Sequence, residues 1–470
     1  MSTQTAQSRG MFRRKPIGPD EESDSTGLRR SLGLWQLTAI GLGAIIGAGI
    51  FTLAGEVAHD TAGPAVSLSF IIAGIASAAA ALSYAEFAGM VPVAGSAYTY
   101  GYAVLGEFAG WLIGWDLLLE YTAIIAVVAI GISGYFQFLL NQIGLDLPAW
   151  MLGAPGTGHG HKVDVFAALL CLLIAFLLNR GIKASARVET VLVFVKLAIV
   201  LAVIVVGVFY IHGANFHPYF PFGFGGALTG AATVFFAVFG YDAMSTAAEE
   251  SKDARRNLPK AIVLSLAIAM VLYLLACTVL TGMQSYLHIN VTSAFSSAFA
   301  SVGLSGFGTV IAIGAVVGIL TVLFSFMLGA SRIWYAISRD GLLPGWFAKT
   351  HVKNHVPHRP TWIIGVVSAL VAGLVPIGTA AELTNIGILL AFVVVCVAII
   401  VMRYRNPEAP RTFRVPGMPV VPALGVVFSI WLITQLHPAT WIRFGVWFVL
   451  GCVIYALYGY RKSKLATGVG

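Results

Sequence analysis

Charge is what this sequence has least of. Only 10% of its 470 residues are Asp, Glu, Lys or Arg, against 58% hydrophobic residues and a mean hydropathy of +0.87. A chain so poor in polar side chains cannot cover the surface of a soluble fold. It has no G-x-x-x-x-G-K-[ST] nucleotide loop and no polar segment long enough to fold by itself, which argues against a primary pump or a membrane enzyme. Cysteine is scarce too. Cys171, Cys277, Cys396 and Cys452 all fall inside apolar runs, so they read as packing residues and carry no information on redox compartment. Residues 1–33 contain no cleavable signal pattern and mix Arg13-Arg14-Lys15 with Asp20-Glu21-Glu22 among Ser, Gly and Pro. That composition is expected to be disordered, and the first apolar run is then expected to direct insertion.

What the chain has in abundance is apolar runs long enough to span a bilayer. Twelve are counted, at 34–58, 64–91, 103–139, 163–180, 187–211, 228–247, 259–283, 306–338, 360–376, 381–402, 419–436 and 441–460. The net charge of +8 invites a nucleic-acid partner, but its distribution removes that reading. Of the 28 Lys and Arg residues, all but Lys162, Arg443 and Lys196 fall on the two tails or on alternate loops. By the positive-inside rule these segments are cytoplasmic, and twelve spans make the alternation consistent. The expectation is an all-α, multi-pass protein of the cell membrane with both termini inside. Its organisation reads as a cytoplasmic tail to 33, spans one to five over 34–211, spans six to ten over 228–402, two further spans over 419–460, and a tail over 461–470. His159 and His161 in the 140–162 loop lack a carboxylate or thiol partner, so no metal or cofactor is expected.

Two of the runs interrupt themselves, the first at Gly47-Ala48-Gly49 within GAIIGAGIF and the second near Gly240 within FFAVFGYDAM. Backbone polar groups in a bilayer must be bonded within their own segment, so an unwound stretch is tolerated only where it lines a cavity or binds something. Broken helices at the head of each five-span half are the pattern of inverted-repeat secondary transporters. The rival readings of GLGAIIGAGI differ in strength. Gly41, Gly43 and Gly47 have the wrong spacing for a dinucleotide loop, whereas Gly43 and Gly47 form a G-x-x-x-G that could serve helix packing alone. Glycines at 47 and 49 also weaken a helix, and freed N–H groups there could bind a carboxylate.

Ionisable residues inside spans usually mark a pathway. Lys196, in VLVFVKLAIVLAV, lies too deep for its ammonium to reach the interface. It is either a proton-exchanging group or a permanently paired strut. Glu120 and Asp116 lie four residues apart on one helical face, with Glu120 ranked as the more central. Asp242 follows the second break and could meet a substrate ammonium, hold a gate, or cap the second half-helix. Glu86 reads as a gate or interface residue at the end of the second span.

The blocks GAIIGAGIF, LSYAEFAGMVPVAGSAYTYGYAVLGEFAGWLIGWDLLLEY, FFAVFGYDAMSTAAEESKDARRNLPKAI, ASRIWYAISRDGLLP and AELTNIG together resemble the amino acid/polyamine/organocation superfamily. More narrowly, they resemble bacterial members of its cationic amino acid transporter branch. The resemblance runs from about Gly33 to the end of the twelfth span and implies the leucine-transporter fold, two inverted five-helix repeats plus two helices. It implies an amino acid permease rather than an enzyme, with amino acid, protons and lipid as partners; symport with protons leads, and an exchanger or a non-transporting sensor on the same scaffold are the alternatives. Whether a small membrane protein or a second copy binds is open. It assigns the substrate carboxylate to N–H groups around Ile45, Ala48 and Gly49, and the ammonium to carbonyls at Phe236, Ala237 and Phe239. Lys196 matches a lysine that replaces a sodium site and couples protons, and Glu120 and Asp242 match acidic residues near the path. Ala48 departs from the Ser or Thr that many relatives have between the glycines, which removes a hydroxyl contact and keeps the backbone donors. Phe326 and Met327 are expected to shape selectivity, favouring small neutral amino acids such as alanine at least as much as arginine.

Overall fold

The computed structural model describes residues 13, 32–90, 98, 102, 106–181, 186–241, 244, 251–349, 357–405, 407–408 and 411–467. Asp242 and nearly all of the N-terminal tail lie outside these described residues. Regular structure among them is helical, apart from two isolated bridges at Leu32–Ser251 and Leu152–Asp164. That is the outcome expected where backbone groups have no water to bond.

The helices of eight or more residues are α1 (Leu34–Ile45), α2 (Val66–Met90), α3 (Glu107–Gln142), α4 (Val165–Asn179), α5 (Ala186–Gly207), α6 (Gly223–Val234), α7 (Ala254–Met283), α8 (Ala294–Ser301), α9 (Ser305–Arg339), α10 (His358–Leu374), α11 (Ile377–Arg405), α12 (Val420–Thr434) and α13 (Pro438–Ile454). Seven helical stretches are long and apolar enough to cross a membrane, and Leu34–Ile45, Val165–Asn179, Gly223–Val238 and Val420–Thr434 are shorter apolar helices. Two of the short ones, Leu34–Ile45 and Gly223–Val238, are the leading halves of the two interrupted runs.

Among the described residues, the most extensive helix contacts pair α3 with α9, α2 with α7, and α4 with α10. Taking the halves expected from the sequence, these are third with third, second with second and fourth with fourth helices. Small residues let the backbones approach. A Cβ on Gly365 of α10 would lie 2.4 Å from Ala175 Cβ of α4, and one on Gly74 of α2 would lie 2.4 Å from Met270 of α7. The second half of the first run, from Gly49 to Ala62, passes into α2 through Gly63 (φ 60°) and Pro64 with no intervening loop. A left-handed residue there suits glycine, and a Cβ would strike Pro221 at 2.3 Å.

Where α2 ends, Glu86 is completely buried and accepts four bonds, from Nε and a terminal nitrogen of Arg403 (2.7 Å each), Nε of Arg411 (3.0 Å) and the Val415 N–H (2.7 Å). Glu107, at the start of α3, is equally buried and accepts from Tyr455, Ser463 and Tyr102 hydroxyls. Both carboxylates therefore act as anchors, and Glu86 fastens the segment after α11 to α2.

Candidate functional site

The first interruption falls at Ile46 and Gly47. Helix α1 ends at Ile45, Ile46 is extended (φ −78°, ψ 102°), and helical geometry resumes at Ala48, with Phe51 N–H bonding Gly47 C=O at 3.3 Å. A helix that stops inside a protein leaves its last carbonyls without helical partners. Here neighbouring helices supply them. Lys196 Nζ of α5 donates to the Gly43 carbonyl, and the Tyr273 hydroxyl of α7 donates to the Ile45 carbonyl at 2.8 Å. The Nζ thus sits at the C-terminal end of a half-helix, where the macrodipole favours the charged form of an amine. Ile45 contributes this carbonyl, since its own N–H lies in the last turn of α1. Lys196 is completely buried, and α9 passes so close that a Cβ on Gly318 would lie 3.0 Å from Lys196 Cβ.

The second interruption follows α6. Phe235–Val238 forms one tighter turn, Phe239 is extended (φ −108°, ψ −174°), and Gly240 takes φ 108°, a value that strains any residue with a Cβ. Asn385 of α11 donates to the carbonyls of Ala232 (2.7 Å) and Thr233 (3.0 Å), and Ser77 of α2 donates to that of Val238 (2.7 Å).

The two interruptions are seated in each other. A Cβ on Gly49 would lie 2.5 Å from both Cα and Cβ of Ala237, and one on Gly240 would lie 3.0 Å from the carbonyl of Ala44. A chain of rings runs beside this junction, from Tyr121 to Phe326 (5.3 Å), Phe239 (6.1 Å) and Phe236 (5.5 Å). One turn before Phe326, Val322 faces Gly47, where a Cβ would lie 3.3 Å away. Ile45, Ala48, Gly49, Phe236, Ala237, Phe239, Phe326 and Lys196 therefore belong to one neighbourhood. Met327 is completely buried and stands outside the ring chain, and Glu120 is buried on α3 next to Tyr121. Asp242 falls outside the described residues.

Several residues here carry no mark in the sequence. Tyr273, Ser77 and Asn385 hold the freed carbonyls, Tyr135 donates to Phe51 C=O at 2.5 Å, and Thr52 has a buried hydroxyl, facing Gly131, without a partner among the described residues. Of these only Asn385 lay in a block, AELTNIG, that sequence comparison could single out. Replacing Tyr273 by phenylalanine leaves the buried Ile45 carbonyl unpaired, which should cost about 1–3 kcal/mol. The expected result is a lower thermal midpoint in detergent with uptake retained; an unchanged midpoint would remove the hydroxyl from the account.

A sequence model described as amino acid permease matches residues 32–442. The chain belongs to the amino acid permease family. The permease is 44% identical to the methylthioribose transporter of Bacillus subtilis (strain 168), over 97% of this chain and 99% of that protein. It is also 44% identical to the branched-chain amino acid permease BcaP of the same organism, with the same coverage. The vacuolar cationic amino acid transporter 4 of Arabidopsis thaliana is 38% identical over 81% of this chain and 64% of that protein. These relatives are transporters and not enzymes, and the permease shares with them nearly its whole helical region.

Proposed function

We propose that the permease is a secondary active transporter that carries an L-amino acid across the cell membrane together with protons, by alternating access. The observation that carries this reading is the reciprocal seating of the two interrupted helices, Gly49 on Ala237 and Gly240 on Ala44. The substrate carboxylate bonds to N–H groups at the start of the second half-helix, at Ala48 and Gly49 beside Ile45. Its ammonium meets the carbonyls of Phe236, Ala237 and Phe239. Those of Thr233 and Val238 are already taken by Asn385 and Ser77, and the choice of these three carbonyls for the ammonium is the one that the family resemblance implies. Each hydrogen bond to a charged group contributes about 1.5–3 kcal/mol.

Twelve spans in two inverted repeats, with both termini cytoplasmic, are the scaffold of this reading. The pairing of α2 with α7, α3 with α9 and α4 with α10 supports the repeats, and the basic loops support the orientation. Lys196 and Glu120 form the proton-coupling part. The ring chain from Tyr121 to Phe236 contains no carboxylate and suits an apolar side chain, in keeping with the branched-chain permease among the relatives.

The test is uptake of labelled leucine into proteoliposomes, with and without an imposed pH gradient, in competition with alanine, arginine and methylthioribose. Leucine and alanine should compete and acidification outside should raise accumulation. Competition by arginine alone would refute the apolar pocket. Competition by methylthioribose, which has neither an ammonium nor a carboxylate, would refute recognition through those groups. Exchange without any response to the gradient would make the permease an exchanger.

A further inference from the structure

Asp116 on α3 is a buried carboxyl of a different kind from the anchors. It is 9% exposed, its Oδ1 is sealed from solvent without a hydrogen-bond partner among the described residues, and α11 presses on it so closely that a Cβ on Gly387 would lie 2.9 Å from that oxygen. The two anchoring carboxyls are held by donors, Glu86 by guanidinium groups and a backbone N–H and Glu107 by hydroxyls. Among the described residues Asp116 Oδ1 has no such donor. Along its own helix the acidic groups are Glu107 and Glu120, the latter one turn on. The helices packed on α3 bring Arg332 and Arg339 (α9), Glu382, Arg403 and Arg405 (α11), His358 and Arg359 (α10) and Arg443 (α13), and none of them makes a hydrogen bond to Asp116 Oδ1. Arg403 is bound to Glu86, Glu382 accepts from Thr440, and Arg359 lies over Trp346. A carboxylate in that place would stand uncompensated in an apolar interior, at a cost that a neutral carboxyl avoids.

We propose that Asp116 is a proton-binding site of the permease, one turn below Glu120, carrying its proton in the conformation described here and giving it up to water when α3 and α11 separate. The step forms and breaks a single O–H bond, and the proton passes to and from water with no change of oxidation state. Its part in transport rests on the symport reading above, whereas the bound proton does not. It adds a second proton position, on α3, to the one assigned to Lys196 and Glu120.

The experiment pairs infrared difference spectroscopy of the purified permease in lipid with proteoliposome assays. A protonated-carboxyl C=O band should be present in the wild type, absent in Asp116→Asn, and shifted in Gly387→Ala, whose new methyl touches the same oxygen. Asp116→Asn should keep leucine counterflow, which needs no gradient, and lose pH-gradient-driven accumulation. A band that survives Asp116→Asn, or one unmoved by Gly387→Ala, overturns the site. Gradient-driven accumulation that persists in Asp116→Asn overturns its role in coupling. Wild-type protein that counterflows but ignores the gradient overturns the symport reading instead, and the infrared band then decides the proton site by itself. If Asp116→Asn fails to fold, the Gly387→Ala shift still decides.

Discussion

Replacing Gly49 by leucine should abolish uptake and substrate binding. The added Cβ alone would lie 2.5 Å from Cα and Cβ of Ala237, a separation that real side chains do not adopt, and a backbone atom cannot swing aside as a flexible side chain can. The second half-helix must therefore move off the Phe235–Val238 turn, which separates the donors at Ala48 and Gly49 from the facing carbonyls. Gly49→Ala should already be impaired for the same reason. Gly445→Ala is the control, because a Cβ there meets nothing within 4 Å and uptake should be unchanged. Scintillation binding and uptake on monodisperse protein make the measurement. Undiminished binding by Gly49→Leu would detach the site from the junction of the two interruptions.

Loss of gradient-driven accumulation is the expected result of replacing Lys196. Its ammonium donates to the Gly43 carbonyl at the end of the first half-helix, so it bears directly on how that half is held. A charge that comes and goes there changes the attraction to the half-helix and biases one conformation over the other by its differential interaction. Lys196→Ala should lose both accumulation and its response to external acidification. Lys196→Arg keeps a cation but cannot release a proton, and should counterflow without accumulating. Accumulation by the Arg variant at wild-type level would make Lys196 a fixed strut and leave the coupling to the carboxyls of α3.

Much of this was legible in the residues, and the reasons are physical. Glycines at 47, 49 and 240 mark interruptions because glycine disfavours a helix by about 1 kcal/mol relative to alanine without adding charge. Lys196 and Glu120 stand out because ionisable groups are rare in such runs. Two holders of the freed carbonyls, Tyr273 and Ser77, carry no such mark. A tyrosine such as Tyr273 or a serine such as Ser77 looks the same in sequence whether it faces lipid, core or a broken helix, and only the tertiary arrangement decides. The run 34–58 is long enough to cross as a sequence, yet its helical halves are short, because apolarity continues through the break while the backbone pattern does not. In sequence Glu120 reads as the more central of the pair, and what singles out Asp116 is Gly387, a residue without a side chain on another helix.

The carbonyls at the two interruptions are held by four different helices, Gly43 by α5, Ile45 by α7, Thr233 by α11 and Val238 by α2. Each bond is either made or broken, since its strength falls steeply with misalignment. A half-helix fastened in this way behaves as an escapement: it rests at a few defined angles and steps between them as one catch releases, with no smooth sweep of intermediate tilts. Dyes on the two halves of the first run would then report a small set of distances with abrupt transitions.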